Sequence, residues 1–201
     1  ADELPSPSAN DEYLLYQILV GTLAVEAQDA QSLKAYTERI EAYMQKALRE
    51  AKTRTSWINP SEAYEGAVTA FVRALLAPGR NLFLNDLREH VQTFAWFGML
   101  NSLSMTLLKL TSPGVPDIYQ GNELWDFSLV DPDNRRTVDY AWRSRALAKA
   151  DGQPVDLERN LAKQQVIQTV LALRRDDPGL FARGDYRGLE ITGPAAGAVV
   201  A

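Results

Sequence analysis

The chain has 201 residues, of which 46% are hydrophobic and 23% are charged, a composition typical of a globular domain. Its net charge of −5 mixes both signs without a basic patch, which argues against a nucleic-acid partner. Cysteine is absent and His90 is the single histidine, so disulfides, thiolate metal sites and multi-histidine metal sites are excluded. No apolar run is long enough for a membrane span, and the N-terminus lacks signal-peptide features. We therefore expect a cytoplasmic protein with no membrane partner.

Helical periodicity dominates the first half of the chain. Apolar residues recur at three- and four-residue steps in four segments, from residue 11 to about 24, from 30 to 51, from 60 to 76 and from 81 to about 110. The fourth segment is apolar on nearly every side from Phe94 onward, which predicts a helix buried all round. The stripe of the second segment predicts the core residues Leu33, Tyr36, Ile40, Tyr43, Met44, Ala47 and Leu48.

Two polar sequences predict helix starts in this half. Asp29 is placed to cap the second helix, because its carboxylate can accept from the free backbone N–H groups of the first turn. Asn59-Pro60-Ser61-Glu62 predicts the start of the third helix, with Asn59 as the cap and Pro60 at the first helical position.

Two short stretches in the second half have the character of strands. Val115–Tyr119 is β-prone, and Tyr186–Thr192 alternates apolar with polar residues. A single strand cannot satisfy its own backbone groups, so its neighbours are expected elsewhere, and we interpret the chain as a piece of a longer protein. Between these stretches the pattern predicts a weak helix from residue 140 to about 149 and a better one from Asp156 to Arg175.

The segment 113–139, PGVPDIYQGNELWDFSLVDPDNRRTVD, is the most informative part of the sequence. It combines six carboxylates, three aromatic rings and two adjacent arginines in a loop broken by proline and glycine. Carboxylates and guanidinium groups bind hydroxyls, and aromatic faces cover the C–H faces of a ring, so this composition suits a sugar. Turn formation alone also explains Asp131-Pro132-Asp133-Asn134, and paired carboxylates for glycoside chemistry remain a third interpretation.

Several motifs carry a resemblance to a known family. Residues 113–123, PGVPDIYQGNE, resemble the eighth-strand motif G-x-P-x-I-Y-x-G-x-E of the α-amylase superfamily, and residues 131–136, DPDNRR, resemble the D-P-x-N-R run that follows it. Together with residues 55–60, TSWINP, and 98–104, GMLNSLS, these strings most resemble the maltooligosyltrehalose synthase family, over roughly residues 10 to 180.

The resemblance implies an intramolecular transglucosylase that converts the reducing-end α-1,4 linkage of a maltooligosaccharide to α,α-1,1. The implied fold class is mainly α, a helical bundle-like fragment of a (β/α)8 barrel enzyme with one or two short strands. The implied partners are the maltooligosaccharide substrate and the remainder of the barrel, with no cofactor and no metal. The substrate-binding residues that we predict are Tyr119, Gln120, Glu123, Asp131, Asp133, Asn134, Arg135 and Arg136.

No catalytic residue is predicted. The family's catalytic carboxylates lie on strands four, five and seven, and motifs such as the H-D-x-K-R-S-E-D string have no counterpart in this sequence, so the chain alone is expected to be inactive. A non-catalytic helical carbohydrate-binding or scaffold module and another α-amylase-type hydrolase remain the alternatives. The resemblance divides the chain into a linker (1–9), a helical insertion with the last barrel helices (10–112), the last barrel strand with its substrate-facing loop (113–140), helices leading out of the barrel (141–180) and the start of a C-terminal β domain (181–201).

Overall fold

The computed structural model describes residues 6–26, 29–150 and 161–198. It divides into two units, the first formed by the described parts of Ala1–Asn101 and Trp125–Ala141, and the second by those of Ser102–Leu124 and Trp142–Ala201. The structure in these ranges is helical, which confirms the mainly α class. The helices are α1 (Ala9–Glu26), α2 (Ala30–Ala51), α3 (Glu62–Leu75), α4 (Leu82–Thr111), α5 (Tyr140–Ala150), α6 (Ala162–Asp176) and α7 (Pro178–Arg183), with 3-10 turns at Asp133–Arg135 and Ala196–Ala198.

Helix α2 begins where the sequence predicts. The Oδ1 atom of Asp29 accepts from the backbone N–H of Ser32 at 2.7 Å, and Ser32 Oγ accepts from the backbone N–H of Asp29 at 3.0 Å. This reciprocal capping box satisfies two donors that the first turn would otherwise leave unpaired. The helix ends at Ala51, and the next residue, Lys52, has a left-handed φ of 57° that turns the chain away from the helix axis.

Helix α3 begins later than the sequence predicts. The predicted cap at Asn59 is wrong, since the helix starts at Glu62 with Ser61 as its first flanking residue. The backbone N–H of Ser61 donates to Thr55 Oγ1 at 2.9 Å, and Asn59 closes a turn with Ser56 instead. The backbone of the connector is thus held in a turn before the helix begins.

The core of the first unit lies among α1, α2, α3 and the first half of α4. Five of the predicted stripe residues of α2 are buried, namely Leu33, Tyr36, Ile40, Met44 and Leu48. They pack in one cluster with apolar residues of the other helices and with Leu129 from the loop that follows α4. The three- and four-residue spacing therefore identified the buried face of α2 correctly.

The sequence predicts that the second half of α4 is buried on all sides, and in the described structure this prediction is wrong. Phe94 and Phe97 are 57% and 58% exposed in the first unit, and Met105 and Leu108 are 69% and 63% exposed in the second. The described residues of each unit leave these side chains uncovered. A helix that is apolar all round has apolar side chains on every face. They are buried only where other elements pack against them.

The two predicted strands are not formed in the described residues. Residues 115–119 and 186–192 have no strand pairing, and Val115 and Tyr186 are 98% and 91% exposed. The physical reason is that a strand is stabilised only by a neighbour that accepts and donates along its length. Helix α5 matches its prediction, and α6 begins at Ala162, with residues 156–160 of the predicted helix outside the described ranges.

The second unit is held around the C-terminal end of α4. Leu110, Ile167 and Val170 form its buried cluster. Arg174 of α6 donates to the carbonyl oxygens of Leu110 at 2.6 Å and Ser112 at 3.0 Å, and also to that of Gly114. The guanidinium therefore satisfies carbonyls that the end of α4 leaves without helical partners. In the described part of the chain no helix has the length and apolarity that crossing a membrane requires.

One buried carboxylate joins α2, α3 and the connector between them. Glu65 is 8% exposed and accepts from Arg49 Nε and Nη2 at 2.8 and 2.7 Å, and from Thr55 Oγ1 at 2.6 Å. The hydrogen bonds from Arg49 lower the pKa of Glu65 from its ordinary 4.5 to about 2, against an opposing effect of burial, and Thr55 and Gln45 add to the lowering. The charged form is thus favoured in the folded state.

Replacing a core isoleucine tests the packing of the first unit. Ile40 is completely buried, so Ile40→Ala should lower the free energy of unfolding by about 2–5 kcal/mol in urea denaturation, because it leaves a cavity. Ile58 is 97% exposed, so the same change there should alter stability by less than about 0.5 kcal/mol. Equal losses in the two variants would show that the burial pattern is wrong.

The Glu65 node predicts a pH dependence of stability. A carboxyl group whose pKa is lowered by folding stabilises the protein above its unfolded-state pKa and loses that effect as pH falls toward the folded-state pKa. Glu65→Gln should therefore cost about 3 kcal/mol near neutral pH. The difference from the parent chain should shrink as pH falls from about 5 to about 2, from the unfolded-state pKa through the folded-state pKa, in urea titrations.

The control for this variant is Glu62→Gln, which changes an exposed carboxylate in the same helical turn. It should alter stability at neutral pH by less than about 0.5 kcal/mol. A gap between Glu65→Gln and the parent chain that stays constant down to acid pH would contradict the assignment.

Candidate functional site

The predicted substrate-binding residues fall into two groups in the structure. Tyr119, Gln120 and Glu123 belong to the second unit. Residues 131–136, which contain the other five, belong to the first unit. The structure brings together the members of each group, and the contacts described below are contacts within one unit.

Asp133 is the anchor of the group in the first unit. Its carboxylate accepts from Arg39 Nε at 2.8 Å and Nη2 at 2.7 Å, and from the backbone N–H of Leu129 at 2.7 Å. Burial acts to raise the pKa of Asp133, but these hydrogen bonds and the charges of Arg39 and Arg136 outweigh burial and lower it. Asp133 is thereby a fixed acceptor whose oxygens are used by the protein itself.

The anchor attaches the loop to α2 over a long sequence separation. Arg39 Nη2 also donates to the carbonyl oxygen of Phe127 at 3.3 Å, and Leu129 is buried against the core of the unit. Arg39 and Asp133 have side chains only 15% and 11% exposed. A bidentate pair that is shielded from water holds its geometry better than a surface ion pair, so the loop is positioned rigidly.

Asp131 and the two arginines lie at the solvent side of this loop. Lys46 Nζ donates to the backbone oxygen of Asp131 and lies 3.4 Å from its Oδ2 atom, and Arg135 pairs with the same carboxylate. The side chains of Asp131, Arg135 and Arg136 are 46%, 68% and 47% exposed. The structure thus presents one carboxylate and two guanidinium groups to solvent on a backbone fixed by Asp133.

Asn134 contributes an unusual acceptor to the same loop. Its Oδ1 atom is buried and has no hydrogen-bond partner among the described residues. A buried amide oxygen without a donor costs free energy, which a ligand hydroxyl or a water molecule would recover. The amide oxygen of Asn134 therefore has unused capacity to accept a hydrogen bond.

Glu123 organises the group in the second unit. Its Oε2 atom accepts from the backbone N–H of Gly121 at 3.1 Å and from Arg143 Nη1 at 2.8 Å. Arg143 Nη1 also donates to the carbonyl oxygen of Gly121 at 3.0 Å. The φ of Gly121 is +95°, a conformation that favours glycine, so the turn after Tyr119 depends on that residue.

Tyr119 lines a polar cleft of about 240 Å³. The ring is 43% exposed, and Gln120 beside it is exposed. The cleft combines ammonium, carboxyl and amide groups with an aromatic ring, which suits a ligand rich in hydroxyl groups. The other residues that line it are Thr106, Lys109, Asp117, Ile118, Asn122, Lys163 and Ile167.

The sequence predicts only Tyr119 among the residues that line this cleft. Thr106 and Lys109 are three apart on α4 and share a helix face, a signal that was available but that a mostly apolar helix obscured. Lys163 lies on α6, more than forty positions along the chain from Tyr119, and only folding brings it to the cleft. Lys109 Nζ donates to the carbonyl oxygen of Asp117 at 2.8 Å, which links two of the segments that line the cleft.

Metal chemistry receives no support from the side chains present. Within residues 6–26, 29–150 and 161–198 no group of three or more acidic or histidine side chains could hold a metal ion. His90 is exposed, and its Nδ1 atom lies 2.9 Å from the carbonyl oxygen of Asp86.

A double-mutant cycle tests the anchor of the loop. Arg39→Met and Asp133→Asn should each destabilise the chain, and their coupling energy should be about 1.5–3 kcal/mol, because the pair is bidentate and shielded. Lys34 and Glu38 form a pair on the same helix with side chains 79% and 64% exposed, so the cycle Lys34→Met with Glu38→Gln should give less than about 0.5 kcal/mol. A negligible coupling for Arg39 and Asp133 in urea denaturation would show that the pair does not fix the loop.

The comparisons with known proteins agree with one another, although no protein-family model matches the sequence. A protein of Mycobacterium tuberculosis (strain H37Rv), named as a maltooligosyl trehalose synthase, is 41% identical over 197 residues, covering 98% of this chain and 24% of the relative. A crystal structure of a maltooligosyl trehalose synthase is 35% identical with a TM-score of 0.83, covering 94% of this chain and 26% of that one. The maltooligosyltrehalose synthase of Arthrobacter ramosus is 38% identical with a TM-score of 0.77, covering 92% and 23%.

These likenesses extend over nearly all of the chain in both sequence and structure, and they confirm the family that the motifs indicated. The chain spans about a quarter of the length of the curated relatives it matches. It belongs to the maltooligosyl trehalose synthase family.

Proposed function

We propose that this chain supplies part of the substrate-binding side of an intramolecular transglucosylase. The reaction converts the reducing-end α-1,4 linkage of a maltooligosaccharide to α,α-1,1 and leaves a terminal trehalose unit. The 41% identity to a maltooligosyl trehalose synthase across 98% of the chain is the observation that carries the proposal. The polar cleft at Tyr119 and the fixed loop at Asp133 add groups that suit a sugar.

Different roles follow for the predicted binding residues. Tyr119 offers a half-exposed ring for the C–H face of a glucose unit, and the exposed Gln120 offers an amide. Asn134 Oδ1 is a buried acceptor for a sugar hydroxyl. Arg135 and Arg136 offer donors at the solvent side of their loop.

The remaining carboxylates act through their neighbours. Asp133 is used by Arg39 and the backbone of Leu129, so it positions the loop. Glu123 is used by Arg143 and Gly121, so it positions the turn after Tyr119. Asp131 is shared between Lys46 and Arg135 but is nearly half exposed, and it is the carboxylate here best placed to accept from a hydroxyl.

The chemical step requires groups that we do not assign to this chain. In the double-displacement mechanism, a carboxylate attacks the anomeric carbon and forms a glycosyl-enzyme as the glycosidic bond breaks and a general acid protonates the leaving oxygen. The anomeric hydroxyl of the released glucose then attacks the anomeric carbon of the glycosyl-enzyme and gives its proton to the former general acid, which now acts as a base. The bond to the enzyme carboxylate breaks as the α,α-1,1 bond forms, and the free carboxylate is regenerated. The motifs of the family's catalytic carboxylates have no counterpart here, so the chain alone is proposed to be inactive.

The remainder of a (β/α)8 barrel is the proposed protein partner. The exposed apolar residues of α4, among them Phe94 and Phe97, provide surface that such a partner would bury. The division into linker, helical insertion, substrate-facing loop, outgoing helices and β domain at residues 9, 112, 140 and 180 belongs to the same proposal, as does a cytoplasmic location.

A non-catalytic carbohydrate-binding module is the second candidate function. The observation that favours it is that the cleft at Tyr119 is formed by described residues of the second unit alone. Another α-amylase-type hydrolase is less well supported, because the string at residues 55–60 resembles the synthase family.

A chimera tests the proposed function. The 197 matched residues would replace their counterpart in the Mycobacterium tuberculosis relative, and conversion of maltopentaose would be followed by loss of reducing ends and by the anomeric proton signals of trehalose. The chimera should form the non-reducing product, whereas the 201-residue chain alone should not. Asn134→Ala and Tyr119→Ala in the chimera should each lower kcat/KM by about 10-fold or more.

The matched control is Tyr186→Ala, which removes a 91% exposed ring outside both groups and should leave kcat/KM within about 2-fold. A folded chimera without activity would refute the synthase proposal. Product formation by the isolated chain would refute its inactivity.

A further inference from the structure

The connector between α2 and α3 ends in a tight turn that displays an indole ring. The backbone N–H of Ser56 donates to the carbonyl oxygen of Asn59 at 3.1 Å, and the N–H of Asn59 donates to Ser56 Oγ at 2.9 Å. Trp57 and Ile58 occupy the tip between them and are 57% and 97% exposed. An exposed tryptophan on a loop closed by two hydrogen bonds is a surface feature that the core of the unit does not require.

The ring is held from one side by a cation. Arg49 Cζ lies 4.9 Å from the centroid of the Trp57 ring, within the range of a cation–π contact. Arg49 is in turn held by both oxygens of Glu65. The guanidinium therefore has a fixed position, and it fixes the indole that rests against it.

The base of the loop is held by the same carboxylate. Thr55 Oγ1 donates to Glu65 and accepts from the backbone N–H of Ser61 at 2.9 Å. Thr55 and Glu65 are both buried, at 4% and 8% exposure. Both ends of the connector are thus tied down, so ordering of the ring is achieved by folding and does not have to be provided by a ligand.

A preordered indole with one side covered and more than half of its surface exposed suits a ligand with a flat apolar face. In glucose units joined by α-1,4 bonds, the C–H groups of the pyranose provide such a face, and the hydroxyls lie around its edge. The bidentate pair with Glu65 uses two of the five N–H donors of Arg49, which leaves donors close to the ring for those hydroxyls.

We propose that Trp57, supported by Arg49, is a carbohydrate-binding platform for an α-1,4-linked glucan chain, separate in sequence from the loop at residues 113–136. The proposal rests on the proposed function, because the choice of a glucan as ligand follows from a maltooligosaccharide substrate. The platform gives the first unit a sugar contact of its own and would bind glucose units of a long substrate.

The test uses the 201-residue chain labelled with 5-fluorotryptophan and titrated with maltoheptaose. The chain has four tryptophans, and the resonance of Trp57 is identified by its loss in Trp57→Leu. The Trp57 resonance should shift in a saturable manner, while that of Trp96, on α4, should not. Sorbitol, an acyclic polyol without a ring face, should leave both unchanged.

Two substitutions of Trp57 distinguish stacking on a flat ring from contact with any large apolar side chain. Trp57→Leu keeps an apolar side chain but loses the flat ring, and it should weaken maltoheptaose binding by about 2- to 10-fold. Trp57→Tyr should retain most of the affinity. Trp96→Leu is the matched control, since Trp96 is 41% exposed on a helix and its loss should not change the affinity. Unfolding midpoints of all three variants should stay near that of the parent chain.

The platform would be refuted if the Trp57 resonance did not respond up to the solubility limit of the sugar. It would also be refuted if Trp57→Leu left the affinity unchanged. A third contrary outcome is a Trp57 resonance that changes with protein concentration in the absence of sugar. The last would show that the tip is a protein-docking surface. An active chimera with a silent Trp57 would refute the platform and leave the synthase proposal intact. A responding Trp57 with an inactive chimera would favour the carbohydrate-binding module instead.

Discussion

The structure of the first unit depends on the burial of one charged carboxylate. Glu65 is placed by the first turns of α3, and it is tolerated in a buried position only because Arg49 supplies two hydrogen bonds and a positive charge. Thr55 adds a third hydrogen bond and so brings in the connector. A single residue thereby sets the approach of α3 to α2 and the path of the chain between them. The position of Trp57 follows from the same interactions.

A second shielded ion pair has the corresponding role for the loop that follows α4. Asp133 and Arg39 are 94 residues apart in sequence, and the bidentate contact holds a segment rich in polar residues against α2. The carboxylate of Asp133, which the sequence predicts to bind substrate, therefore holds the loop in place. Asn134, next to it, keeps an acceptor that no described residue uses. Adjacent residues of the same motif thus differ in hydrogen bonding because their environments differ.

Local pattern was a good guide to the cap and the buried face of α2. The capping of α2 by Asp29 and the buried stripe through Tyr36, Ile40 and Met44 were predictable, because caps and helix faces depend on residues three and four apart. The family could also be predicted, since its motifs are contiguous strings. The predicted start of α3 was wrong because the backbone N–H groups of Asn59 and Ser61 donate to Ser56 and Thr55. Capping preferences do not include these hydrogen bonds.

What the sequence alone determined is the mainly helical character, the core face of α2, the absence of cysteine chemistry and the family. Only the tertiary structure decided that Val115–Tyr119 and Tyr186–Thr192 remain unpaired, that Phe94 and Phe97 are exposed, and that Lys109 and Lys163 lie at the cleft of Tyr119. The physical reason is the range of the interactions. Helical hydrogen bonds and caps are satisfied within a few residues, whereas strand pairing, burial of an apolar face and the assembly of a cleft depend on groups that are distant in the chain.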